Sequence, residues 1–227
     1  MGRKILVVVD YQYDFFSPDG ALYVNGGEKL QEKIANIIPN FDYVIFTKDS
    51  HSLTHCSFKE NGGIWPMHCV WGSIGEGIPI ELLKAAKDYE IVAKGDNDDE
   101  EEYGAFSDDF EFFISIEMAV DTERTCSKPF RAYWDDVDEL VICGIAGNYC
   151  VLETLKNIVK HVGNDKVSVF LDGVVSIDDG TTLNTYMKEN NIKTYQFIFE
   201  YFIFFLELSY FKFGSSIFLL YICTMKI

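Results

Sequence analysis

Six cysteines, at 56, 69, 126, 143, 150 and 223, sit at irregular spacings, and one of them stands where a nucleophile is wanted. In Gly144-Ile145-Ala146-Gly147-Asn148-Tyr149-Cys150-Val151, small residues lead from an apolar run into a segment with helical spacing headed by Cys150. A helix N-terminus lowers a thiol's pKa and offers backbone N–H groups to an oxyanion, so Cys150 meets the needs of nucleophilic acyl chemistry. The other cysteines read as small buried apolar residues or reduced thiols.

A second set of chemistry-bearing residues lies between positions 47 and 69. Thr47-Lys48-Asp49-Ser50-His51 places a carboxylate and an imidazole at i and i+2, His55-Cys56-Ser57-Phe58 follows, and Trp65-Pro66-Met67-His68-Cys69 supplies a later loop imidazole. In an extended backbone Asp49 and His51 converge, and two imidazoles with one carboxylate suit Zn²⁺ or a similar divalent metal while leaving positions open for water and substrate. Asp10 closes the first apolar run in Val9-Asp10-Tyr11-Gln12-Tyr13-Asp14-Phe15, and Ala93-Lys94-Gly95 puts a cation directly after another. His161 falls in a helical segment and needs no functional explanation.

These residues must be positioned by the elements around them. Residues 4–9 form an unalternating apolar run, the mark of a strand buried on both faces. Similar runs at Tyr43 to Thr47, Tyr89 to Ala93, Glu139 to Cys143, Lys166 to Leu171 and Lys193 to Phe199 predict further strands. Helices are predicted over Glu28 to Ile38, Pro79 to Lys87, Asp108 to Val120, Tyr149 to His161 and Asp179 to Asn190. Strands alternating with helices give right-handed crossovers and an α/β fold, a three-layer αβα domain with a mostly parallel central sheet. Ligands of such sheets bind beyond the carboxyl ends of the strands, which is where Asp10, Asp49 and Lys94 fall, with Cys150 after a short turn.

A chain of 227 residues with 48% hydrophobic and 24% charged residues supports one sizeable core. Its formal net charge of −17 opposes nucleic acid and anionic lipid as partners and favours a small neutral or cationic ligand. No secretory signal opens the sequence, so a cytoplasmic setting with reduced thiols is expected. The stretch 95–102 carries six acids among eight residues and reads as a solvated loop; it lacks the spacing of a calcium loop. From Tyr195 onward twelve of 33 residues are Phe or Tyr, yet the longest uncharged stretch, 213–225, is 13 residues, short of the roughly 20 that a membrane span needs. The division expected is a domain over 1–199 and an aromatic-rich extension over 200–227, which packs on the domain or on a second copy in a homo-oligomer, or does not belong to the folded domain at all.

Taken together, the initial Val-Asp-x-Gln-x-Asp-Phe, the Asp-x-His pair, Trp-Pro-x-His-Cys-Val-x-Gly, Lys-Gly, Tyr-x-Ala-Phe at 103–106 and Asn-Tyr-Cys-Val occur in an order and at separations that resemble the nicotinamidases, within the isochorismatase-like cysteine hydrolases. The resemblance covers about residues 3–199 and implies the isochorismatase-like hydrolase fold. It implies Asp10 as the base, Lys94 as the residue that orients the pair and favours the thiolate, and Cys150 as the nucleophile. Asp49, His51 and His68 would hold one divalent metal, Zn before Fe or Mn, and His55 matches a position that is a ligand in only some members. Phe15 and Trp65 would flank the substrate ring, and Ile145–Ala146 matches a cis peptide that turns the amides of Ala146 and Cys150 toward an oxyanion.

The activity implied is hydrolysis of nicotinamide, with pyrazinamide as a further substrate, through a cysteine thioester. The alternatives are another amide or carbamoyl hydrolase with the same triad, or a non-catalytic binding protein on the same scaffold. Gly147-Asn148 stands where the family commonly has Thr-Asp, and the stretch between Phe106 and Trp134 aligns poorly.

Overall fold

The computed structural model describes residues 2–107 and 136–197. The helix expected over Asp108 to Val120, Cys126, Cys223 and the extension 200–227 lie outside the described residues. By internal contacts, Met1–Tyr195 is one compact unit.

Its centre is a sheet of β1 (Arg3–Val9), β2 (Tyr43–Asp49), β3 (Tyr89–Lys94), β4 (Val137–Ile145), β5 (Val167–Val175) and β6 (Lys193–Thr194), in the order β3-β2-β1-β4-β5-β6. Every pairing is parallel. Among the described residues the α-helices are α1 (Tyr13–Phe16), α2 (Leu30–Ile37), α3 (Ile80–Ala85), α4 (Cys150–Val162) and α5 (Thr181–Glu189). From β1 the chain winds outward through α2 and α3 to β3, then restarts at β4 on the other side of β1 and winds outward through α4 and α5. Right-handed crossovers in opposite directions put the two helix pairs on opposite faces, which makes the expected three-layer α/β domain.

The core follows from strand alternation. Ile5, Val7 and Val9 share a buried cluster with Leu155 and Ile158 of α4 and with Leu183 and Met187 of α5. Leu6 and Val8 point the other way and are just as buried. At 25–30 cal/mol per Å² of apolar area removed from water, such doubly covered strands are the main stabilising element of the fold.

Three expectations need correction. The one-turn α1 was not foreseen, since four residues show no periodicity. β5 continues past Leu171 to Val175, through a register shift opposite Ile142 and Gly144. β6 is a two-residue exposed edge at Lys193–Thr194 and does not extend over 195–197; the last two residues of the run expected to Phe199 lie outside the described residues.

Order in the sheet reverses between β1 and β4, and the crevice at such a reversal opens at the carboxyl ends of the strands. Gly144 makes the close approach there: its φ is 125°, and a Cβ on it would lie 2.0 Å from the carbonyl oxygen of Val9. Gly62 also has a positive φ, of 96°, but nothing within 4 Å of a Cβ. Gly144→Ala is therefore expected to lower unfolding free energy by about 3 kcal/mol or more through combined backbone strain and overpacking, while Gly62→Ala costs only the left-handed backbone penalty of about 1–2 kcal/mol. Urea unfolding of the two variants checks this, and equal losses would contradict it.

Candidate active site

Four neighbouring strands, β3, β2, β1 and β4, each bring one polar group to the same rim. Asp10 follows β1, Asp49 ends β2, Lys94 ends β3, and Cys150 opens α4 after the turn that leaves β4. Asp10 has φ 45°, an uncommon conformation for a residue with a side chain, and its N–H bonds the Thr47 carbonyl at 3.2 Å. Its carboxylate is fully buried: Oδ1 accepts from the Thr47 hydroxyl at 2.6 Å, and Oδ2 lies 2.9 Å from Lys94 Nζ.

Lys94 is the hub. Its ammonium, 1% exposed, contacts Asp10 Oδ2, donates to Asp49 Oδ1 and to the Glu102 carbonyl at 3.3 Å, and lies 3.7 Å from Cys150 Sγ. Burial disfavours that charge, but Asp10, Asp49 and Cys150 outweigh it and hold the lysine well above its ordinary pKa. Burial also pushes Asp10 up, against the pull of Lys94 and with a push from Asp49. Asp49 would be raised by burial too, yet Lys94 and His51 hold it below the usual carboxylate range. The Cys150 thiol, 7% exposed, is raised well above its ordinary value by burial, with Lys94 opposing. Burial thus works against the lowering expected of a helix N-terminus, and Lys94 works with it.

The expected metal ligands come together at Asp49. Donor atoms of Asp49, His51 and His68, all buried, lie within 4.8 Å of one another. His51 Nδ1 is 2.6 Å from the Gly95 carbonyl and His68 Nδ1 is 2.7 Å from the Pro66 carbonyl, so each Nδ1–H donates to backbone and each Nε2 keeps its lone pair. His51 Nε2 is buried with no hydrogen-bond partner, as a ligand atom awaiting a cation must be. The donor set and this orphaned nitrogen fit a divalent metal. His55 is also fully buried, 4.1 Å from the His51 ring, and its Nε2 likewise has no hydrogen-bond partner, but its Nδ1 faces the Ser57 N–H at 3.2 Å and it does not join the group of three.

A cleft opens beside both groups, lined by Asp49, His68 and Cys150. Phe15, Trp65 and Ala146, the residues expected to bind substrate, all line it. So do six residues that sequence reasoning gave no role: Leu22, Val24, Glu101, Tyr103, Tyr149 and Ile177. Trp65 is held edge-on to Tyr149, with ring centres 5.3 Å apart, and its indole N–H donates to the Tyr103 hydroxyl at 3.1 Å. The peptide bond Ile145–Ala146 is cis. Gly147 has a local reason, because a Cβ there would lie 2.1 Å from Ser176 Oγ, and Asn148 Oδ1 accepts from the Ile177 N–H at 2.9 Å.

The acidic stretch after Lys94 is only partly a solvated loop. The Asp98 carboxylate accepts from the hydroxyls of Ser52 and Thr54, and its carbonyl accepts from Cys56 N–H at 2.8 Å. The Glu102 carboxylate accepts from Gly95 N–H and from the Ser107 hydroxyl. The loop thereby clamps the segment carrying His51. The signal was present in the Ser and Thr of 52–54, but pairing across more than 40 residues is invisible to local pattern.

No protein-family model matches the chain. It is 30% identical over 216 residues to the nicotinamidase of Saccharomyces cerevisiae, across 82% of this chain and 94% of that protein. Among solved structures it is similar to the pyrazinamidase of Pyrococcus horikoshii in complex with zinc, with a TM-score of 0.69 and 30% identity over 86% of this chain and 99% of that one. It is also similar to PnC1 from L. infantum in complex with nicotinate, with a TM-score of 0.69 and 26% identity over 86% and 93% of the two chains. With sequence identity spanning nearly the whole of its relatives, and the same fold underneath, the chain belongs to the nicotinamidase family of isochorismatase-like hydrolases.

Proposed function

We propose that this protein is a nicotinamidase, an amidohydrolase converting nicotinamide to nicotinate and ammonia and thereby feeding pyridine-nucleotide salvage. The observation that carries the reading is the meeting of Cys150 Sγ, the Asp10 carboxylate and Lys94 Nζ at the floor of a cleft beside the Asp49–His51–His68 group. The relatives' names and the nicotinate bound to the L. infantum protein support the same substrate.

In this reading Asp10, raised by burial, takes the Cys150 proton, and Lys94 stabilises the anion as it forms. The thiolate attacks the carboxamide carbon, and the amides of Ala146 and Cys150 receive the oxyanion. Asp10 then protonates the departing nitrogen, which leaves as ammonia, and a thioester remains. Water deprotonated by Asp10 attacks the thioester, giving nicotinate and the Cys150 thiol. Phe15 and Trp65 hold the aromatic ring between flat faces. Asp49, His51 and His68 would hold a divalent ion, zinc first and iron or manganese next, whose contribution when bound is a Lewis-acid contact that orients the ring nitrogen.

The hydrolase domain is taken to span 1–199, with 200–227 as an aromatic-rich extension that packs on the domain or on a second copy in a homo-oligomer, or stands apart from the folded domain. No helix among the described residues is long and apolar enough to cross a membrane. A cytoplasmic location is proposed on the free thiols at Cys56, Cys69, Cys143 and Cys150.

Ammonia release from nicotinamide by the purified, metal-loaded chain is the direct test. Cys150→Ala is expected to abolish turnover, and Asp10→Asn to lower kcat by about 10²–10⁴-fold, the usual contribution of a general acid–base. Turnover that survives Cys150→Ala would sink the thioester route. A folded chain that spares nicotinamide but cleaves another amide would move the assignment to a sister activity.

Ring recognition gives a separate expectation. Pyrazinamide keeps a nitrogen at the matching ring position and should be hydrolysed, whereas benzamide, of nearly the same shape, should be a poor substrate. Chelation should remove the difference by depressing the first two substrates. Benzamide turned over as fast as nicotinamide by the metal-loaded protein would contradict the role assigned to Asp49, His51 and His68.

A further inference from the structure

Between Asp10 and Phe15 lie two polar residues that touch neither the thiol nor the cleft. Gln12 is fully buried. Its amide closes a two-bond ring on the backbone of Asp49: Nε2 donates to the Asp49 carbonyl at 2.7 Å, and Oε1 accepts from the Asp49 N–H at 2.8 Å. Nε2 also donates to the Glu76 carbonyl at 3.1 Å. Glu76 in turn accepts from Lys48 and Ser50, the residues on either side of Asp49, and from the Gly72 N–H.

Asp14 does for the histidines what Gln12 does for Asp49. Its Oδ2 accepts from the Cys69 N–H at 2.7 Å, next in sequence to His68, and its Oδ1 accepts from the Ala21 N–H at 3.0 Å. Cys69 sits at φ 46°, a conformation that needs holding, and its carbonyl accepts from the His51 N–H at 3.0 Å. One carboxylate thus fixes Cys69, the residue through which the backbones of His51 and His68 are joined. The rings themselves are fixed by Gly95 and Pro66, so backbone and side chain of the donor set are held by different partners.

We propose that Gln12 and Asp14 are positioning residues for the Asp49–His51–His68 metal site, acting on its backbone rather than on substrate; this rests on the reading of those three residues as metal ligands. A buried glutamine satisfied for its own sake would need only three bonds of any origin. In this chain two of the three close on Asp49 itself and the third on Glu76, which grips the residues flanking Asp49, while Asp14 ties the segments of His51 and His68 together from the other side. Outer partners of metal ligands typically govern affinity by about 10–100-fold, because a site 1 Å too loose loses coordination geometry.

The test titrates metal-free full-length chain with Co²⁺ and follows its visible ligand-field bands. Gln12→Met conserves volume but leaves the Asp49 peptide unpaired, and is expected to bind Co²⁺ about 10–100-fold more weakly, with altered bands. Asp14→Asn keeps one acceptor and is expected to show a smaller loss of the same kind. Alkylation of Cys150 by iodoacetamide, read by mass, confirms that both variants retain the thiol site. Should Gln12→Met fail to fold, Asp14→Asn decides alone. Variants that match the wild-type affinity and spectrum would overturn the positioning role while leaving the metal site standing. A wild-type chain giving no Co²⁺ bands would overturn the metal reading itself, and this proposal with it.

Discussion

The Lys94 ammonium lies within ion-pair distance of two buried carboxylates and 3.7 Å from a thiol, and the arrangement of the site depends on that one charge. Taking a carboxylate from water into an interior costs several kcal/mol after relaxation, and two neighbouring carboxylates repel as well. Neither Asp10 nor Asp49 could stay ionised there alone. With the cation between them their fates diverge: Lys94 and His51 hold Asp49 below the usual carboxylate range against its burial, while burial raises Asp10 despite Lys94. Two carboxylates of the same rim are thus set apart by environment and not by chemistry, which suits the one to a cation and the other to proton exchange.

The sheet makes that convergence possible. Parallel strands start in register and end at one rim, so residues far apart in sequence, 10, 49, 94 and 150, arrive together once β1 is central and the order reverses beside it. Gly144 lets β4 close against β1 at the reversal, and Thr47 fixes Asp10 by hydroxyl and carbonyl at once. Gln12, Asp14 and Glu76 then bind the loops of the rim to the strand ends.

Much of this was legible in the sequence because parallel strands are covered on both faces and write themselves as unbroken apolar runs such as Leu6 to Val9. A polar residue that ends such a run is conspicuous, which is why Asp10, Asp49 and Lys94 could be picked out. What stayed hidden has a common cause. The α1 turn is too short for a period, and the second half of β5 is interrupted by Asp172 and Gly173 at a register shift. Partners such as Asp98 with Ser52, or Tyr103 with Trp65, are set by the tertiary fold, and no local spacing encodes them. Cys150 shows the same limit: its place at a helix start was readable, but the burial that raises its thiol was not.

The most direct measure of the Lys94 constraint is a double-mutant cycle in urea unfolding with Lys94→Met, Asp10→Asn and the pair. Removing the cation alone leaves buried anions uncompensated and is predicted to cost about 3–5 kcal/mol, while adding Asp10→Asn removes one of those charges and should restore a clear part of the loss. If Lys94→Met is nearly neutral, or if the double variant is no more stable than Lys94→Met by itself, then the two carboxylates do not depend on Lys94 and the site is not organised around its charge.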